Sequence, residues 1–143
     1  MKQPADALFD ALASAWNSQN LDALCALFTP DCTYIDMAFN VTSRGHAGLR
    51  DFARHVYSTL PNFYLQFPVR FRSGNQAASE WIITGTWRGD FEGADCTGRA
   101  TRFTGLSRYE LVDDKIRLNI DCWDFLALAR VLRPGAKVAF EPS

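Results

Sequence analysis

Between Pro4 and Ser18 the apolar residues Leu8, Phe9, Leu12, Ala15 and Trp16 recur every three or four positions, with polar residues between them. That spacing predicts a helix entered through Pro4, whose fixed φ and missing N–H suit a first turn. Asn20 is placed to cap a second, short helix through Leu24, Leu27 and Phe28, which Pro30 stops. The pattern then shortens. Cys32 to Phe39 is rich in β-formers and predicts a strand, and Arg44-Gly45-His46 leads into a third helix carrying Leu49, Phe52, Ala53, Val56 and Leu60 before Pro61 ends it. Four strand-like runs follow, at Phe63 to Arg72, Ala77 to Arg88, Arg99 to Leu111 and Lys115 to Trp123. Ser73-Gly74-Asn75 and Val112-Asp113-Asp114 supply hairpin turns. Phe125 to Leu132 has helical composition until Pro134-Gly135 breaks it.

The predicted order is therefore ααβαββββα. Helices and strands are segregated and neighbouring strands are joined by hairpins, which predicts an α+β fold with a curled mixed or antiparallel sheet, a cone or α+β barrel, wrapped around the N-terminal helices. No linker, repeat or low-complexity segment divides the chain, so residues 1–143 are expected to form a single domain.

Bulk properties narrow the function. A formal charge of -1 with no Lys/Arg block lacks the electrostatic footprint of a nucleic-acid binder. No apolar run approaches the ~20 residues of a membrane span and the N-terminus has no signal-peptide core, which predicts a cytoplasmic protein without a membrane partner. Cys25, Cys32, Cys96 and Cys122 are scattered, with no C-x-x-C pair and no His at ligand spacing, so no metal is expected. Eleven Phe, four Trp and four Tyr exceed an ordinary aromatic allotment. Trp16, Tyr34, Phe52, Trp81, Trp87, Phe103 and Trp123, with Val56, are candidate walls of a pocket for a small apolar molecule.

Strand parity selects the polar groups. In the last strand Ile116, Leu118, Ile120, Cys122 and Asp124 share one face, which reads as the inward one and brings Asp124 to the rim of the apolar interior. Asp124 is also placed to cap the following helix. Asp121 has the opposite parity, and pairing with Arg117 on a solvated or interface side is its alternative; twist or a bulge near Cys122 would exchange the two. Asp36 lies in a run apolar on both faces, where lost hydration raises a carboxyl pKa toward the range of a general base. His55 precedes Val56 on the third helix and is within reach of a cavity. Arg102 and Arg108 share a parity that reads as outward. Trp123, opposite in parity to the apolar row, predicts an aromatic outer sheet face and hence a homodimer.

The run W-I-I-T-G-T-W-R-G followed by C-T-G-R, F-T-G and D-D-K-I-R-L-N-I-D-C-W-D, with L-D-A-L-C-A-L-F-T-P-D and R-G-H-A-G-L-R-D-F before it, resembles the SnoaL-like polyketide cyclases. These are a branch of the nuclear transport factor 2-like cone-fold superfamily. The resemblance implies a pocket inside a curled sheet, no cofactor, and an acid/base carboxylate in the last strand, a role that falls on Asp124 or Asp121, with Asp124 favoured by parity. Trp87 stands where that branch often has His. T-Y-I-D-M resembles the site of the ketosteroid isomerases, which implies Asp36 as a base, although Leu12 occupies the place of their oxyanion tyrosine. The combined expectation is a cofactor-independent cyclase or isomerase-like enzyme using Asp36, Asp124 or Asp121, with Tyr34 or His55 as donor. A non-catalytic module that binds a hydrophobic metabolite is the other expectation.

Overall fold

The computed structural model describes residues 4–135, so the two ends of the expected domain span 1–143 lie outside the described residues. Helix α1 (Pro4–Asn17) turns Phe9, Leu12 and Trp16 into the core and packs along β3 (Tyr64–Ser73). Asn17 fixes its end by donating from Nδ2 to the Leu65 carbonyl (2.9 Å) and accepting the Leu65 N–H at Oδ1 (2.7 Å). Helix α2 (Leu21–Ala26) begins as expected, with Asn20 Oδ1 accepting the Ala23 N–H at 3.0 Å.

Its end differs from the expectation. Strand β1 (Phe28–Asp36) starts before Pro30, and Pro30 falls where the pairing of β1 with β8 (Lys115–Trp123) jumps from Phe28 to Thr33. A residue with no N–H is tolerated at such a break in the ladder. β1 also stops at Asp36 rather than Phe39. A turn with Asn40 at φ 55° leads into β2 (Val41–Arg44), a short, largely exposed strand whose pattern carries no alternation to announce it.

Helix α3 (Gly45–Thr59) and strands β3, β4 (Gln76–Thr86), β7 (Ala100–Val112) and β8 follow the predicted order. The two-residue strands β5 (Asp90–Phe91) and β6 (Ala94–Asp95) form an unpredicted hairpin around Glu92 and Gly93, both at positive φ. Asp113 and Asp114, at φ 50° and 63°, make the tight β7–β8 turn, which matches the right-handed twist of the strands it joins. The main sheet runs β2-β1-β8-β7-β4-β3, antiparallel throughout except for β1 beside β8. Helix α4 (Phe125–Leu132) packs on β7. One hydrophobic cluster runs through the helices and the concave sheet face.

One irregularity decides the site. On β8, Ile116 faces Leu111 and Leu118 faces Glu110, so Arg117 is an extra residue, a β-bulge. Beyond it the faces exchange. Ile116 is buried, but so are Asn119 and Asp121, while Cys122 and Asp124 are exposed. The inward row expected through Leu118, Ile120, Cys122 and Asp124 is therefore corrected from Arg117 onward: Asp121 points inward and Asp124 outward. Trp123 turns inward as well, so it does not supply the aromatic outer face expected from it. The exposed apolar groups on that side are residues such as Leu106 and Phe71. Arg102 and Arg108 are exposed, as their parity indicates.

Candidate active site

The concave face encloses a cavity of about 260 Å³ whose lining includes Trp16, Tyr34, Val56, Trp81, Trp87, Phe103 and Trp123, with the carboxylates Asp36 and Asp121. Each strand contributes by alternation. On β7, Phe103, Ser107 and Tyr109 face in between exposed Arg102, Thr104, Leu106 and Arg108. Gly105 belongs to the inward row but carries no side chain. A Cβ there would lie 2.3 Å from Trp81 Cζ2 and 2.7 Å from Trp123 Cβ. Its bareness lets the Trp81 indole lie across β7 and donate from Nε1 to Ser107 Oγ (2.8 Å).

Asp121 is the hub of the polar floor. Ser107 Oγ donates to its Oδ1 at 2.5 Å and Asn119 Nδ2 to the same oxygen at 2.7 Å, while the Tyr34 hydroxyl donates to Oδ2. Burial pushes the Asp121 carboxyl up from 3.8 to about 6. Donation from Ser107, Tyr34 and Asn119 opposes that rise, and the neighbouring charge of Asp36 adds to it. Burial, together with the charge of Asp121, holds the Tyr34 phenol well above its ordinary value, so Tyr34 keeps its proton. The Tyr109 phenol is raised mainly by burial and shares a 2.9 Å hydrogen bond with Ser79 Oγ.

Asp36 lies across from Asp121 in the parallel register of β1 and β8. Its Oδ1 accepts the Trp123 indole N–H at 3.0 Å and the Phe39 backbone N–H at 3.0 Å. One carboxylate thus fixes both an aromatic wall and the turn after β1. Phe39 closes over that wall, edge-on to Trp123 and Phe125 with centroids 5.1 and 5.7 Å away. Exposed His55 and Asp90 also line the cavity, which puts its mouth between α3 and the β5–β6 hairpin.

Two residues singled out in the sequence lie elsewhere. Asp124 is exposed and caps α4, its Oδ1 accepting the Ala127 N–H at 3.0 Å. Phe52 is not part of the lining; it supports the cavity from behind, 4.8 Å from the Tyr34 ring and 6.4 Å from Trp16. Conversely, Ser107, Asn119, Tyr109 and Ser79 escaped notice. The outward parity of Arg102 and Arg108 already implied that Ser107 and Tyr109 face inward, whereas Asn119 was hidden by the bulge. Trp87 Nε1 is buried on the cavity wall without a hydrogen-bond partner. Among the described residues no group of three or more His, Cys, Asp or Glu is placed to hold a metal ion. No described helix is long and apolar enough to cross a membrane.

A curled mixed sheet closed by helices over an acidic, aromatic-walled cavity is the architecture of the nuclear transport factor 2-like cone fold. Within it, the chain belongs to the SnoaL-like polyketide cyclase family, which its sequence matches over residues 6–132. It is similar in structure to IdmH, a candidate polyketide cyclase from Streptomyces antibioticus, with TM-score 0.79 and 21% identity, covering 92% of this chain and 99% of that one. It is also similar to TsrD from Streptomyces laurentii (0.78, 22%, 90% and 93%). A third similar structure is a protein with a ketosteroid isomerase-like fold from Catenulispora acidiphila DSM 44928, in complex with trimethylamine (0.77, 20%, 94% and 97%). No curated protein sequence matches the chain.

Proposed function

We propose that the protein is a cofactor-independent acid/base enzyme of cyclase or isomerase type, acting on a small, mostly apolar carbonyl compound bound in the cavity. The observation that carries this reading is Asp121, a buried carboxyl with its pKa brought to about 6 on the floor of an aromatic chamber. Such a group is ionised at neutral pH yet basic enough to take a proton from a carbon beside a carbonyl. The electron pair left on carbon passes into the carbonyl as an enolate, which attacks a second carbonyl in a cyclisation or is reprotonated elsewhere in an isomerisation. Asp121 returns the proton. The apolar walls exclude water that would compete for the enolate.

The other candidates take supporting roles. Asp36 orients Trp123 and the Phe39 turn against the substrate, and Tyr34 is, among the described residues, the one donor to Oδ2 of the base. His55 is a mouth residue. Membership of a family named for polyketide cyclases supports the reaction class.

The test needs no knowledge of the natural substrate. Apolar ketones and 1,3-diketones are incubated with the protein in D2O, and exchange of their α-protons is followed by NMR. Wild-type protein is expected to accelerate exchange, and D121N to lose ~100-fold or more of that acceleration. Equal rates in the two proteins would remove Asp121 as the base. A second reading, a carrier of hydrophobic metabolites, is favoured by the three donors that already occupy Asp121. It predicts tight ligand binding with no exchange in either protein.

A further inference from the structure

The two oxygens of Asp121 are not equivalent. Oδ1 accepts two donors, from Ser107 and Asn119, and Ser107 Oγ in turn accepts the Trp81 indole N–H. Trp81 in turn is seated over Gly105, where no side chain can displace it. Among the described residues Oδ2 accepts Tyr34 alone, so it is the oxygen of this cavity-lining carboxylate that keeps an unused lone pair.

We propose that Asp121 exchanges the substrate proton through Oδ2 alone, and that Tyr34 then turns its hydroxyl from Oδ2 to the enolate oxygen, serving as the oxyanion donor. This rests on the acid/base reading above and adds a catalytic role for Tyr34. In the forward step the substrate C–H bond breaks, its proton goes to Oδ2 and its electron pair enters the carbonyl. A protonated carboxyl oxygen is a poor acceptor, so the Tyr34 bond to Oδ2 weakens as negative charge appears on the substrate. When Asp121 gives the proton back, Tyr34 returns to Oδ2. The donor is never left unpaired in a buried site, where an unmade hydrogen bond is costly.

The other groups facing the site are acceptors, engaged hydroxyls or exposed at the mouth. On β1, Asp36 accepts from Trp123 and Phe39 through Oδ1, and as a carboxylate it has no proton to donate to an enolate; on β7, the Tyr109 hydroxyl is engaged with Ser79. His55 on α3 and Asp90 on the hairpin are exposed at the mouth. Trp87 Nε1, the unpartnered donor of the wall, is the competitor to exclude.

4-Nitrophenol is a suitable probe, because its phenolate mimics an enolate and has its own visible band. At about pH 6, wild-type protein is expected to bind it with the phenolate band present and with proton uptake at Asp121, seen in the 13C spectrum of labelled Asp carboxyls. Y34F should reduce the bound phenolate by ~10-fold or more, the loss of one charge-assisted hydrogen bond, while W87F, which removes only the competing donor, and D124A, at the exposed cap of α4, retain it. In wild-type protein the Cζ resonance of 13C-labelled Tyr34 should shift on binding the probe. An unchanged resonance, or a phenolate band kept in Y34F or lost in W87F, overturns the role of Tyr34 but leaves the acid/base reading standing. Absence of proton uptake at Asp121 in wild-type protein overturns both.

Discussion

At the scale of the residue, a buried carboxyl with a raised pKa trades stability for reactivity. The folded-state value of about 6 for Asp121 lies above the ordinary 3.8, so the native state binds this proton more tightly than the unfolded chain does. Its contribution is therefore full below about pH 4 and is lost as pH rises through about 6. The shift corresponds to about 3 kcal/mol in all. Asn at this position does not titrate. The stability of D121N relative to wild type, from denaturant unfolding at a series of pH values, should improve by about 2.4 kcal/mol between about pH 4 and pH 7, and parallel profiles would refute the raised pKa. Asp36 was legible in the sequence because both faces of its run are apolar. Asp121 was legible only as one of two alternatives, because parity counted along β8 assumes an unbroken ladder and nothing in L-V-D-D-K-I-R-L marks Arg117 as the extra residue.

At the scale of the element, the same bulge decides which of two aspartates three positions apart meets the cavity and which is left to the helix that follows. Asp124 N-caps α4, and D124A should cost about 1 kcal/mol in thermal or denaturant unfolding, as lost caps do. α-Proton exchange should remain within about twofold of wild type, whereas D121N loses it; a D124A protein with its exchange abolished would return the catalytic role to Asp124. Gly105 is the second element-level device. Its missing Cβ admits Trp81, and overpacking of this kind costs ~1–3 kcal/mol, so G105A should be destabilised by that amount with altered Trp fluorescence. Wild-type stability with unchanged emission would show that Trp81 does not depend on the gap. Helix periodicity, hairpin turns and long strands were readable because each is written in consecutive residues. β2 and the β5–β6 hairpin were not, being too short and too exposed to impose a pattern.

At the scale of the molecule, the cavity is the price of the fold's curvature. A sheet that ran flat would let α1 and α3 close onto it, but this one curls. Trp16, Phe63 and Leu65 on one side are held away from Trp123 and Phe103 on the other, and the space between stays open. The α4 end of the structure is latched to the hairpin at the mouth, with the Cys96 thiol donating to the Leu132 carbonyl (3.2 Å) and Arg133 Nη1 to the Glu92 carbonyl (2.7 Å). A ligand that fills the chamber restores contacts the empty cavity lacks and binds only the folded state. An apolar ketone at about 100 times its Kd should therefore add about 2.7 kcal/mol to stability, raising Tm by several degrees. V56W, which projects a large ring from α3 into the same space, should fold and yet show little of that rise. Equal ligand-induced shifts in V56W and wild type, measured by differential scanning fluorimetry, would mean that the ligand binds outside the chamber and that Asp121 never meets it.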